Sequence, residues 1–174
     1  MKSILILFTL IPSLAFAGEL ADLFKKQGSN RTEGYNQSQS YDEISSDKPD
    51  ITEIGLERTL CYGTCPAYSV IIKSDGTFKY TGHKFVDRLG NYIGSVSKWE
   101  LRTLLQFIND SNYNFFKNSY FTGVTDHPTV YTMVKMNGKT KVISNYANSG
   151  PTKLWAIEQL IDKLLLEAKW DQKK

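Results

Sequence analysis

Residues 67–82 read AYSVIIKSDGTFKYTG. Tyr68, Val70 and Ile72 alternate with Ser69, Ile71 and Lys73, the two-residue period of a strand with one face in a core. Asp75-Gly76 follows, a pair that tolerates positive φ and marks a hairpin turn. Residues 77–81 then return as a strand with Phe78 and Tyr80 on one face. An antiparallel hairpin at this point makes the fold a sheet built mainly from such pairs.

The remaining segments extend that sheet. Residues 51–60 read as a strand leading into Cys61, and 84–96 as a further strand or a hairpin around Gly90-Asn91. Ser97-Lys98-Trp99-Glu100 is a capping box, and Leu101, Leu104, Leu105 and Ile108 follow at helical spacing, predicting a helix that ends near Asn112. An aromatic-rich connection spans 113–127. Residues 129–136 and 139–146 alternate on either side of Asn137-Gly138, a second hairpin. Gly150-Pro151 opens a closing helix whose face carries Leu154, Ile157, Ile161 and Leu164. The expectation is an α+β fold, a mainly antiparallel sheet with two helices packed on one face.

Ahead of this domain the text changes character. MKSILILFTLIPSLAFA, residues 1–17, has a basic start at Lys2, an apolar run too short to span a bilayer, and a small-x-small site at Ala15-Phe16-Ala17. It reads as a signal peptide cleaved near Ala17, giving a periplasmic or secreted protein. Residues 18–27 have the spacing of a short amphipathic helix (Leu20, Leu23, Phe24), 28–50 are rich in Gly, Ser, Asn, Gln and charge, and 18–50 as a whole read as a flexible tether. A single domain over 51–170 and a tail at 171–174 complete the expected organisation. Nothing after the apolar leader is long and apolar enough to cross a membrane.

Composition excludes several classes. Of 174 residues, 41% are hydrophobic and 22% charged, and 21 basic against 18 acidic residues leave a net charge of +3, too small a surplus to argue for nucleic acid. No Walker loop, Gly-rich dinucleotide fingerprint, H-E-x-x-H or G-x-S-x-G elbow is present. Asp126-His127-Pro128 reads as turn chemistry rather than part of a hydrolase.

The unusual stretch is LERTLCYGTCPAYSV, residues 56–70. With Ile72, Asp75-Gly76, Tyr80 and Gly82, the positions Leu56-Glu57-Arg58, Cys61-Tyr62-Gly63, Cys65-Pro66, Tyr68 and Val70 resemble a bacterial family of unknown function, number 6438 in the domain-of-unknown-function series. A weaker likeness continues through Asn114-Phe115-Phe116, Thr125-Asp126-His127-Pro128 and the closing helix, so that it covers about 51–166. The family often has an apolar residue in place of His127 and Pro in place of Leu60. The resemblance implies a small exported domain and no particular activity.

Three readings of Cys61 and Cys65 follow from the residues themselves. In an oxidising compartment the pair forms a disulfide across a tight turn that Gly63 permits. Redox chemistry would favour a C-x-x-C at a helix N-terminus, whereas here the spacing is three and the flanks read as strands. A copper site would need a third ligand from His83 or His127; C-x-x-x-C-P resembles the metal motif of Sco-type copper chaperones, without their βαβ pattern. Arg58 reads either as charge protecting a solvated edge strand or as a contact for an anionic ligand. Arg58, Tyr62 and Tyr68 form the expected binding surface. The reading is therefore a non-catalytic binding or interaction domain with a structural Cys61–Cys65 turn, no cofactor, and an envelope protein or small ligand as partner. A thiol-redox or copper-handling protein is the alternative.

Overall fold

The computed structural model describes residues 18–28 and 50–171. The expected signal peptide, most of the expected tether and residues 172–174 lie outside them. The described chain begins with helix α1 (Glu19–Gly28), then β1 (Ile51–Arg58), β2 (Ala67–Lys73), β3 (Thr77–Lys84) and β4 (Gly90–Ser95). Helix α2 (Lys98–Asp110), a single 3-10 turn (Tyr113–Phe115) and β5 (Ser119–Tyr120) follow. The chain then makes β6 (Thr129–Met136), β7 (Lys139–Tyr146), α3 (Thr152–Leu166) and β8 (Lys169–Asp171).

The strands form one sheet in the order β5-β7-β6-β1-β2-β3-β4-β8. All neighbours are antiparallel except β5 and β7, which run parallel. The fold is α+β with a mostly antiparallel sheet. It has three described helices, α2 and α3 of the expected domain and α1 at the amphipathic segment ahead of it. Tail residue Asp171 belongs to the sheet, because β8 pairs Asp171 with Ile93 and Trp170 with Gly94.

Local chemistry accounts for the hairpins. Asn137 (φ 51°) and Gly138 (φ 73°) both adopt the left-handed conformation, so β6 and β7 meet at a two-residue turn whose twist matches the strands. The Asp75-Gly76 turn differs from expectation. Only Gly76 has positive φ, and its N–H donates to the Lys73 carbonyl at 2.9 Å, giving a three-residue connection. Asp75 Oδ1 accepts from the Thr77 N–H (2.8 Å) and hydroxyl (2.7 Å), which closes the turn and lowers the Asp75 pKa. The 84–96 stretch resolves into the end of β3, a loop at 85–89, and β4.

Apolar burial has two centres. The larger unites Ile54, Leu56, Val70, Ile72, Val134 and Ile143 with Leu101, Leu104 and Ile108 of α2 and Leu154, Ile157 and Ile161 of α3. The smaller holds Leu20, Met133 and Val142, with Leu23 and Phe24 against it. Each draws on alternate positions of shared strands, Met133 against Val134 and Val142 against Ile143, as the strand period requires. Helix α1 is fitted closely into the smaller centre. Gly55 lacks the Cβ that would press on Leu20 and Met133 at 3.2 Å each. The Gln27 amide donates to the Val142 carbonyl (3.2 Å) and accepts from its N–H (3.0 Å), filling a stretch of β7 that β5 does not reach.

Candidate functional site

Arg58 ends β1 in phase with Ile54 and Leu56, and its register partner on β2 is Tyr68, in phase with Val70 and Ile72. Both side chains therefore leave the sheet on the side of the larger core. Glu57 goes the other way and accepts the Ala21 N–H at 3.3 Å. Helix α3 passes over these strands with two carboxylates one turn apart. Glu158 Oε1 accepts from Asn145 of β7 (2.9 Å) and Thr132 of β6 (3.3 Å). Four residues on, the Asp162 carboxylate takes Arg58 in a two-point grip, Nε to Oδ1 at 3.2 Å and Nη2 to Oδ2 at 2.5 Å, and also accepts the Tyr68 hydroxyl. The solvated-edge reading of Arg58 is thus corrected: β1 is an interior strand between β6 and β2, and the guanidinium is spent on a partly buried pair.

Electrostatics lock this triad. Burial opposes the charge on Arg58, but the hydrogen bonds and attraction of Asp162 outweigh it and raise the Arg58 pKa. Burial first, and the Asp162 charge second, push the Tyr68 phenol well above its usual range, so its proton stays and donates. Glu158 is fully buried, its Oε2 without a hydrogen-bond partner among the described residues, and desolvation lifts its pKa to about 7 against the pull of Asn145 and Arg58. The Tyr113 hydroxyl, donating to the Thr132 carbonyl at 2.7 Å, completes the surrounding polar group.

Beside the triad lies a cavity of about 490 Å³, within the range of small-molecule sites. Tyr68 stacks on Tyr80 (centroids 5.3 Å apart), and Tyr80 meets the Trp170 ring edge-on at 5.1 Å. The Arg88 guanidinium sits over Trp170, 4.4 Å from the ring centroid. Loop 85–89 delivers it, entered at Phe85 (φ 55°) and left at Gly90 (φ 87°). The loop can fold back onto β3 because Gly82 has no side chain; a Cβ there would overlap the Arg88 backbone carbonyl. Phe85, Val86, Leu165 and Leu166 supply the apolar walls.

The cysteine turn borders the cavity through Pro66, the residue that follows Cys65. Cys61 and Cys65 are at disulfide distance, with Cα atoms 5.7 Å apart, between two strands rather than at a helix N-terminus. Tyr62 is 90% exposed on this turn and does not line the cavity, although its N–H donates to the Asp126 carbonyl at 3.2 Å. Of the expected surface, the fold brings Arg58 and Tyr68 together and leaves Tyr62 outside. His127 packs edge-on against Tyr146 (6.5 Å), and His83 is exposed near the end of β3. Among the described residues, no group of three or more His, Cys, Asp or Glu side chains is placed to hold a metal.

Sequence reasoning did not single out Asp162, Glu158, Arg88 or Trp170. Asp162 and Glu158 carried a signal: two acids four apart, each adjoining the apolar stripe of one helix. Arg88 and Trp170 carried none, since their meeting depends on β8 pairing with β4.

Among the described residues, no helix is long and apolar enough to cross a membrane. The sequence profile described as "Domain of unknown function (DUF6438)" matches residues 52–165. No curated protein matches the chain.

Proposed function

The chain belongs to the DUF6438 family, and from that premise we propose that it is an exported, non-catalytic binding domain that takes a small ligand in the cavity beside Arg58 and Tyr68. On this reading α2 and α3 pack on one face of the sheet, and the cavity opens where α3 runs out over β3. One observation carries it. A cavity of about 490 Å³ joins two arginines, a tyrosine pair and a tryptophan to apolar walls, the mix of shape and few oriented polar groups that holds small molecules. The Cys61–Cys65 pair is structural here: it fixes the β1–β2 turn and leaves ligand contact to the cavity.

Two measurements test the parts separately. The intact mass of the full chain exported to a bacterial periplasm and purified without reductant should begin at Gly18 and fall two hydrogens short of the dithiol. A mass that retains residues 1–17, or two free thiols, contradicts export or the structural disulfide. A fragment library screened by protein-observed NMR should give hits whose shifts converge on Tyr68, Tyr80 and Trp170. Hits converging on the 61–65 turn instead would remove the cavity from the account.

A further inference from the structure

Resting on that reading of the cavity, we propose that its ligand is a small amphipathic carboxylate, the acid group held by Arg88 and the apolar body lying against Phe85, Leu165 and Leu166. Four charged side chains line the cavity: Arg58, Asp162, Asp87 and Arg88. Arg58 and Asp162 neutralise each other. Arg88 makes no ion pair among the described residues, and its guanidinium carbon lies 4.4 Å from the centroid of the Trp170 ring. A guanidinium held over a ring by its carbon keeps N–H donors available, and its fork matches a carboxylate with two parallel hydrogen bonds. Tyr80 lies alongside, close enough for Arg88 to pull on its titration, and its hydroxyl can donate a further bond to the same acid group. Arg58 adds donors as well, since Asp162 takes Nε and Nη2 and no described residue takes Nη1.

The opposite charge preference is disfavoured by the same geometry. An aromatic box attracts cations, but the Trp170 face is already taken by Arg88, so a cationic ligand would have to displace a residue of the protein's own chain. Asp87, next to Arg88, also lines the cavity and acts on Tyr80 in the opposite sense, less strongly than Arg88 does. Size is consistent with an alkyl or aryl acid. A volume of about 490 Å³ falls in the range of small-molecule sites.

Calorimetric titration of the full chain with decanoate and decyltrimethylammonium below their micellar concentrations, and with decanol below its solubility limit, tests the assignment on the unaltered protein. Decanoate should bind most tightly. Arg88→Met should weaken it roughly ten- to hundredfold, the loss expected for a charge-assisted hydrogen bond, while leaving decanol unchanged. Decyltrimethylammonium or decanol binding as tightly as decanoate would overturn the carboxylate preference and leave the cavity as a binding site. So would an Arg88→Met variant that binds decanoate like the parent. Absence of binding by all three would overturn the inference, and the fragment mapping described above would then decide separately whether the cavity binds anything.

Discussion

Glu158→Gln should remove a pH-dependent penalty from the stability of this fold. The Glu158 pKa stands at about 7 in the folded chain against an ordinary 4.5, a difference near 2.5 units. At ~1.4 kcal/mol per unit this is about 3 kcal/mol in full. A raised carboxyl pKa means that the folded protein holds the proton more tightly than the unfolded chain does. The group is therefore least costly below about pH 4.5, loses stability as pH rises toward 7, and adds nothing further above that. The cause is structural: the side chain is fully buried and one carboxylate oxygen has no hydrogen-bond partner among the described residues. Gln keeps the shape and an acceptor for Asn145 and Thr132 but cannot ionise. Urea unfolding of both proteins at pH 5 and pH 8 isolates the effect, because other titrating groups are common to the pair. Relative to the parent, the Gln variant should gain roughly 2–3 kcal/mol on going from pH 5 to pH 8. A difference between the two that does not change with pH, or that moves in the parent's favour as pH rises, would refute a buried, destabilised carboxylate.

Other perturbations follow from the same contacts. Asp162→Ala strands the Arg58 guanidinium, whose side chain is 14% exposed, and should cost roughly 2–3 kcal/mol by denaturant unfolding, less than a fully buried pair because Asp162 is 28% exposed. The paired change Arg58→Met with Asp162→Leu should recover part of that loss; an Asp162→Ala protein as stable as the parent contradicts the grip. Replacing both Cys61 and Cys65 with Ser opens a five-residue loop and should lower stability by about 2 kcal/mol without changing the secondary structure seen by circular dichroism. An unchanged midpoint would argue against a stabilising disulfide. Gly55→Val pushes on Leu20 and Met133, so trypsin should cut after Lys25 and Lys26 faster while 50–171 stays resistant. Unaltered cleavage would mean that α1 does not depend on that fit.

Local features were legible because their physics is local. Asn137-Gly138 announces its turn through residues that tolerate positive φ, and Tyr68, Val70 and Ile72 announce a buried strand face by alternation. The opposite directions of Glu57 and Arg58 also follow from the two-residue period. Their environment does not. Whether β1 is an edge or interior strand depends on pairing with β6, more than 70 residues away in sequence, and that pairing turned Arg58 from a surface charge into a paired one. The partner itself, Asp162, lies 104 residues from Arg58. The same distance problem hid Arg88 on Trp170, because β8 is three residues long and has no alternation of its own to read. Tyr62 shows the converse. An unusual motif drew it into the expected surface together with Arg58 and Tyr68, yet it is exposed and does not line the cavity that they line.

That separation offers the most direct test of the central claim, that ligand binds in the cavity and not on the cysteine turn. The chain has 10 tyrosines, and ring-labelled tyrosine can be followed by NMR during a decanoate titration, with signals assigned by single Tyr→Phe changes. The account predicts saturable shifts of Tyr68 and Tyr80, which stack at the cavity, with Tyr62 unmoved. Saturable movement of Tyr62 with Tyr68 and Tyr80 still would place binding on the turn and contradict it.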